Sequence, residues 1–449
     1  MNEAIVSHDG PGHRWLASLG RRGMELGLQR IRALLARLGD PQRDLPIIAV
    51  AGTDGKGSTS AMIAALLRAG GLRTAHYTSP HLVETRERID LPDGLASAAG
   101  LDDALVQVYA ACGADLDPTP FEALTAAALV LIRQADSEVA VLEVGLGGRL
   151  DAVNATEPVV SVITQLGYDH MAILGDTLPQ IAWEKAGIAR ESRPLVCAQP
   201  GLVKPALRRH GIQPRLLSLG RDLSVAEASW SASRAHGTVQ GPLLEDPLEI
   251  SLALPGRHQF DNAALAVMAY IAFAEWWLPM TGRALPQVED VVAALASVDW
   301  PLRAEVLQAS PLLLADAAHN PSGMKALAAM LGEHGRGWQV MLAVRKDRDA
   351  AELIRTLAPW TACFWLPRCA GETLRAADEL AAVVDQVAPA CLAAVGSAGR
   401  CLQQALREAD RGPGVVVTGS QHALGEWLQS KILHSPRLER RLAGNGRRV

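Results

Sequence analysis

The chain has 449 residues, about three times the ~150-residue prior for one domain, so two or three packed units around a sizeable core are expected. A composition that is 49% hydrophobic and 20% charged excludes intrinsic disorder, and no stretch carries low-complexity bias. The formal net charge is −5, from 43 basic and 48 acidic residues with no long block of either sign, which disfavours a nucleic-acid binder and favours small-molecule chemistry.

In chain order, residues 15–38 repeat apolar positions at helical spacing among Arg21, Arg22, Arg30, Arg32 and Arg37. Gly39-Asp40-Pro41 closes this pattern, which predicts an opening amphipathic helical region. The first twenty residues carry Glu3, Asp9, His13 and Arg14 without an apolar run, so no secretory signal is expected. Residues 45–50 read as a strand, then come a glycine-rich turn and a helix rich in Ala and Leu over 58–68. A helix over 121–133 and strands over 139–144 and 159–164 continue the alternation, which implies an α/β fold with a parallel sheet.

Residues 202–252 loosen into short alternating runs, read as an antiparallel hairpin region at the edge of the first domain. The longest apolar stretch, 263–280, is broken by Glu275 and Pro279 and reads as a buried helix, with no membrane span expected. Near Val298-Asp299-Trp300-Pro301 the helical pattern stops. Strands then follow over 312–315, 339–344, 363–366 and 415–418, each trailed by a helical segment. A boundary near 298 is therefore expected, with a first domain over 1–298 and a smaller Rossmann-like α/β domain over 299–449. The six cysteines form no CxxC pair, which fits a reducing cytoplasm.

The segment Gly52-Thr53-Asp54-Gly55-Lys56-Gly57-Ser58-Thr59 lies where a strand turns into a helix, where backbone N–H groups and the helix dipole favour a phosphate. Lys56 supplies a point charge for the terminal phosphates, and Ser58 or Thr59 a hydroxyl for Mg²⁺. The spacing departs from the common P-loop, since two residues separate the first two glycines and Gly57 intervenes before Ser58. Glu143 closes an apolar strand, where an open α/β sheet presents groups to its crevice, and could hold Mg²⁺ or be a solvated terminus. His170 and Lys185 are weaker signals, each with an ordinary structural alternative: a hydrogen-bonded histidine and a solvated helix-terminal lysine. In Asp316-Ala317-Ala318-His319-Asn320-Pro321, polar groups gather at the end of the second domain's first strand. There Asn320 also suits a helix N-cap, with proline next.

Together these segments resemble the folylpolyglutamate synthase and dihydrofolate synthase family of the ATP-dependent Mur ligase superfamily. The resemblance runs through Ala51 to Thr59, Tyr77-Thr78-Ser79-Pro80-His81-Leu82, Glu87-Arg88-Ile89, Phe121-Glu122 and Leu142-Glu143-Val144-Gly145-Leu146-Gly147-Gly148-Arg149-Leu150-Asp151. It continues through Asp169-His170, Glu184-Lys185-Ala186-Gly187-Ile188, Asp261-Asn262-Ala263-Ala264 and Asp316 with His319-Asn320-Pro321.

The resemblance implies a P-loop ATPase domain with a mostly parallel sheet, a Rossmann-like second domain and an active site between them. It implies a monomeric amide ligase that joins L-glutamate to 7,8-dihydropteroate or a reduced folate through an acyl phosphate, with ATP as substrate. By this resemblance Gly52, Thr53, Gly55, Lys56, Gly57, Ser58, Thr59, Asn262, Arg303, Asp316 and His319 bind ATP. Ser58, Glu143, His170 and a carbamylated Lys185 serve two Mg²⁺ ions, Lys56, His170 and Lys185 being catalytic, while Ser79, His81, Phe121 and Asp151 lie on the acceptor side.

The chain departs from the family pattern in four places, one of them Ala317, which takes the place of an apolar or glycine position. Asp54 stands where Asn is usual, which raises the prospect of repulsion in a phosphate loop. Pro301-Leu302-Arg303 replaces Pro-Gly-Arg, and Asp347-Arg348-Asp349 replaces Asp-Lys-Asp, a change that is not conservative where a point charge is needed. Two other readings follow: a paralogue ligating an amino acid to a non-folate carboxylic acid, and a P-loop kinase or nucleotide switch whose second domain binds a partner.

Overall fold

The computed structural model describes residues 10–20, 26–230, 234–369, 371 and 373–443. Glu3, Asp9, Arg21 and Arg22 lie outside the described residues, and the reading of the opening segment made on them lies there too. Within the described part that segment forms two helices, Pro11–Leu19 and Gln29–Arg37.

Eight strands form the first sheet: β1 (Ile47–Ala51), β2 (Thr74–Tyr77), β3 (Ile89–Leu91), β4 (Gly94–Leu95), β5 (Val139–Glu143), β6 (Val160–Ile163), β7 (Pro194–Cys197) and β8 (Arg215–Ser218). Their spatial order is β4-β3-β2-β5-β1-β6-β7-β8, parallel from β2 to β8, with β3 and β4 antiparallel at one edge. β1 is apolar throughout because both of its faces are covered. Period-two alternation sends Ile48 and Val50 to one core, with Met62 and Leu66 of the helix Lys56–Ala69 and Phe273 of the helix Arg257–Thr281. Ile47, Ala49 and Ala51 go to the opposite core, with Leu105 and Leu129 of the helices Ala98–Cys112 and Pro120–Gln134.

The Arg257–Thr281 helix is long and apolar enough to cross a membrane, yet 61% of its apolar window is buried inside the fold. Its apolar surface is spent on the helix Lys56–Ala69 and on a second, three-stranded sheet. That sheet, β9 (Ser224–Trp230), β10 (Ala235–Gln240) and β11 (Leu248–Leu252), contains the antiparallel hairpins expected within residues 202–252, where the structure adds a helix and β8. It is antiparallel but separate, and the edge of the main sheet is β8, parallel to β7. β10 alternates buried and exposed positions, and its Gly237 lies against the Phe260 ring of the long helix. The region also contains the helix Pro200–His210, whose internal Pro205 obscures a helical pattern.

A third sheet holds β12 (Glu305–Ala309), β13 (Leu312–Ala315), β14 (Trp338–Leu342), β15 (Thr361–Arg368), β16 (Leu392–Ser397) and β17 (Val415–Thr418), in the order β12-β13-β17-β14-β15-β16. β12 pairs antiparallel with β13, so Asp316 follows the second strand of this sheet and not the first. β12 and β16 are edge strands with half-buried side chains and so lack the apolar runs of the inner strands. Among the described residues no strand is shared between this carboxyl-terminal unit and the two amino-terminal sheets.

The connection between the units carries Leu302 at φ 54 with its side chain fully buried. Its N–H donates to Glu305 Oε2 at 3.0 Å, and its carbonyl accepts the Ala317 N–H at 3.0 Å. A left-handed leucine costs about 1–2 kcal/mol, which glycine would relieve, but the buried side chain returns about 1.5–3 kcal/mol and fills space that glycine would leave empty. With the cavity included, removing a buried leucine side chain costs about 2–5 kcal/mol, so Leu302→Gly is expected to lower the unfolding free energy by about 1–3 kcal/mol. Urea denaturation checks this, and an unchanged or higher midpoint would mean that relief of backbone strain outweighs burial.

Candidate active site

Three neighbouring strands, β5, β1 and β6, end side by side. Val50 pairs with Glu143 and Ala51 with Ile163, so the glycine loop, Glu143 and the segment 164–170 all leave the sheet at the same edge. In an open parallel sheet this carboxyl edge is where ligands bind. The loop after β1 is sewn to the loop after β6: the Thr53 and Asp54 N–H groups both donate to Gln165 O, at 2.8 and 3.1 Å. Thr164 Oγ1 donates to Asp54 O at 2.6 Å, and a Cβ on Gly52 would lie 1.8 Å from that same hydroxyl oxygen. Gly55 has φ 80, and a Cβ there would lie 2.3 Å from Asn262 Oδ1, so only glycine lets the loop turn under the long helix. The helix Lys56–Ala69 starts directly after, with Ser58 and Thr59 buried in its first turn and its free N–H groups at the loop.

Two lysines converge on this loop. Lys56 Nζ donates to Gly52 O and Thr53 O, both at 3.1 Å, and Lys185 Nζ donates to the same Gly52 O at 2.7 Å. Lys185 comes from the helix Leu178–Ala186 and is only 4% exposed, so it is not the solvated helix-terminal lysine of the ordinary alternative. Burial, helped by the Lys56 charge and opposed by Asp169, Asp54 and Asp151, brings its amine down to about 7. Glu143 is buried and accepts the Ser79 N–H at 3.2 Å; burial raises its carboxyl, against the pull of Lys56 and Arg303. His170, at φ 50 before the short helix Met171–Leu174, keeps Nε2 3.5 Å from Asp169 Oδ1. Its burial, with Arg348 and Lys56 adding to it against Asp169, lowers it to about 4.

On the acceptor side, His81 Nδ1 accepts from Arg88 Nε at 2.9 Å, and the Phe121 ring packs on Gly145 and tilts against Tyr77. Asp151 turns both oxygens onto its own loop, accepting the Leu146 and Val153 N–H groups at 2.9 Å, and burial raises its carboxyl to about 6.

The carboxyl-terminal unit closes the cleft. Asp316 accepts the Ala304 and Ala318 N–H groups, each at 2.8 Å, and so shapes the turn that carries Arg303. His319 Nδ1 contacts Ala317 O at 2.8 Å, and its Nε2 lies 3.7 Å from Asp169 Oδ2. Arg348, its side chain 10% exposed, pairs with Asp169 as well. Burial alone would push the Asp169 carboxyl up, but contact with His319 and the charges of His170, His319 and Arg348 hold it well below the usual carboxylate range. The reading of the residues singled out His170 and passed over Asp169 beside it. Only a fold that brings Arg348 and His319 to it gives Asp169 its importance. Asp54 faces Asn320 and Ser322, so the feared repulsion in the loop is met by donors from the other unit.

Among the described residues no three His, Cys, Asp or Glu side chains gather as a metal cage. A Mg²⁺ held by one or two protein oxygens together with nucleotide phosphates needs no such cage, and the Ser58 hydroxyl and Glu143 carboxylate beside the phosphate loop are oxygen donors of that kind.

The Mur ligase middle domain family matches residues 50–270. The probable bifunctional folylpolyglutamate synthase/dihydropteroate synthase of Halobacterium salinarum is 33% identical over 428 residues, covering 92% of this chain. The chain spans about half of that relative's length, 50%. The dihydrofolate synthase/folylpolyglutamate synthase of Bacillus subtilis is 33% identical over 357 residues, 76% of this chain and 81% of its own length. Among solved structures, Mycobacterium tuberculosis folylpolyglutamate synthase complexed with ADP matches with a TM-score of 0.84 and 28% identity, covering 95% of this chain and 99% of that one. A bifunctional folylpolyglutamate synthase/dihydrofolate synthase with Mn, AMPPNP and L-glutamate bound matches with a TM-score of 0.78 and 29% identity, covering 94% and 98%.

Lys185 carries a pH signature. Its amine sits near 7 in the folded chain and at 10.5 in the unfolded one, so between those values the unfolded state holds a proton that the folded state has shed. Stability contributed by this group therefore rises as pH goes from 7 towards 10, and the full burial penalty applies below 7. Lys185→Met is expected to raise the melting temperature more at pH 6 than at pH 9. Thermal melts of both proteins across that range check it, and a pH-independent difference would place the amine's titration elsewhere.

Proposed function

The chain belongs to the folylpolyglutamate synthase/dihydrofolate synthase family, and from that premise and the geometry of the cleft we propose that it is an ATP-dependent amide ligase. It joins L-glutamate to 7,8-dihydropteroate and adds further glutamate to reduced folate. The observation that carries this reading is the convergence of a phosphate loop, two lysines on one carbonyl oxygen and a buried carboxylate at adjoining strand ends. We read residues 1–298 as the ATP-binding domain and 299–449 as the ligase domain, acting as a cytoplasmic monomer; its six free thiols support a reducing compartment.

In the first step an oxygen of the acceptor carboxylate attacks the γ-phosphorus, the bond to the β,γ-bridging oxygen breaks, and ADP leaves. The L-glutamate amine then attacks the acyl carbon, and the tetrahedral intermediate loses a proton from nitrogen and expels inorganic phosphate. The transferred group needs position and charge neutralisation more than covalent help. Gly52, Thr53, Gly55, Gly57 and Thr59 supply the cradle and Lys56 the positive charge. Asn262 meets the base, while Arg303 and His319 reach the nucleotide from the other unit and Asp316 fixes the Arg303 turn. Ser79, His81, Phe121 and Asp151 shape the acceptor side.

Ser58, Glu143 and His170 would hold Mg²⁺, two ions in all with the carbamate of Lys185, and the metal supplies charge neutralisation and alignment of the phosphate oxygens. Carbamylation requires a neutral amine whose nitrogen attacks CO₂ and then loses a proton. A lysine held near 7 is neutral in large part at physiological pH. The product is an anion, so the change turns the Lys56–Lys185 repulsion into attraction.

Mass analysis of products with ATP, Mg²⁺ and L-glutamate, with and without 7,8-dihydropteroate, tests the activity. ADP release that needs both substrates, with a product heavier by one glutamyl unit, is expected. ATP binding without acceptor use would instead support the non-folate acid reading. Lys185→Ala is expected to lose at least about a hundredfold in turnover while nucleotide affinity stays within about threefold, and a short carboxylic acid should restore part of the rate. Full turnover in that variant would exclude the carbamate.

A further inference from the structure

The phosphate loop carries a carboxylate that its glycine motif does not require, and the structure gives that carboxylate partners on the other unit. Asp54 Oδ1 accepts from Asn320 Nδ2 at 2.9 Å, and Asp54 Oδ2 accepts from the Ser322 hydroxyl. Asn320 Nδ2 also donates to Asp169 Oδ2 at 3.3 Å, so one buried amide reads carboxylates on the loops after both β1 and β6. The amide is held in place from its other end, because Asn320 Oδ1 accepts the Gly323 N–H at 2.8 Å and caps the helix Pro321–Glu333. Ser322 fills the space where a Cβ on Gly167 would stand, 2.7 Å from its hydroxyl, so the two loops and the cap fit closely. The Asp54 backbone is itself pinned by Gln165 and Thr164, which fixes the direction of the side chain.

We propose that Asp54 is a positioning residue that clamps the carboxyl-terminal unit onto the phosphate loop, acting through Asn320 and Ser322. With the unit docked, the Asn320 amide lies between the Asp54 and Asp169 carboxylates and donates to both. Undocked, the two carboxylates lose those shared donors, so the charge of Asp54 favours the closed arrangement. Nucleotide is gripped chiefly by the amino-terminal unit, so loss of the clamp acts on closure and turnover more than on nucleotide affinity.

Hydrogen–deuterium exchange of the full chain without substrates reads the clamp directly, independently of the ligase reading. Asp54→Ala is expected to speed exchange at least about fivefold in both 52–57 and 318–325, and Ser322→Ala to do so more weakly from the other side. Asp54→Asn keeps an acceptor for Asn320 and a donor for Ser322 but not the charge, and is expected to fall between the parent and the alanine variant. Unchanged protection of 318–325 in Asp54→Ala would overturn the proposal, as would an Asp54→Asn variant as open as the alanine.

The kinetic arm rests on the ligase reading. There Asp54→Ala is expected to lower kcat about tenfold or more with the KM for ATP within about threefold, and Asp54→Asn to recover part of the rate. A rise in the KM for ATP with kcat intact would assign Asp54 to the phosphates and overturn the clamp. A parent protein without ligase turnover but with the expected exchange pattern would refute the ligase reading and uphold the clamp.

Discussion

Two ammonium groups on one carbonyl oxygen are an arrangement a protein keeps only with help, and much of the amino-terminal unit supplies that help. The Gly52 oxygen is available to Lys56 and Lys185 because β1 ends at Ala51 and the chain then leaves the sheet. Lys185 can reach it because the helix Leu178–Ala186 returns across the same edge. The like charges are tolerated because one of them is held near neutrality by burial. On the ligase reading, a polyanionic phosphate entering here would relieve this unease with its negative charge.

The same economy of charge governs the junction between the units. Asp54 and Asp169 leave the carboxyl edge as two acids close to the phosphate loop, which is the wrong sign for a phosphate site taken alone. Both are answered from across the cleft, by Asn320 and Ser322 for Asp54 and by Arg348, Asn320 and His319 for Asp169. The acids thus make the amino-terminal unit incomplete without its neighbour. Arginine at 348 suits this role, since a planar guanidinium pairs with a buried carboxylate better than a hydrated ammonium does.

How much of this could be read beforehand follows from what each signal depends on. The inner strands β1, β5, β6, β13, β14 and β17 were readable because burial on both faces makes them unbroken apolar runs, and the loop after β1 because glycine, lysine and hydroxyls cluster within eight residues. β12 and β16 were not, since an edge strand needs no such run. Residues 202–252 were half readable: alternation gave antiparallel strands, but not that they would leave the main sheet to cover the long helix. Glu143 and Lys185 were placed by resemblance, because a strand-end glutamate and a helix-end lysine look solvated until the fold buries them. Asp169 and the partners of Asp54 could not be read, since Asn320 lies 266 positions away from Asp54.

The departures from the family pattern bear on assembly more than on substrate choice. Asp54, Leu302 and Arg348 could each be taken as marks of a different acceptor, yet each is engaged in contacts that hold the junction or the connection together. Asp54 and Arg348 meet partners across the cleft, and Leu302 sits buried in the connection, its carbonyl bound by Ala317. A leucine in a left-handed turn stiffens a connection that glycine would loosen, and a carboxylate on the phosphate loop binds the second unit more tightly than an amide would. All three changes therefore act where the two units meet, and what they alter first is how firmly the units are joined.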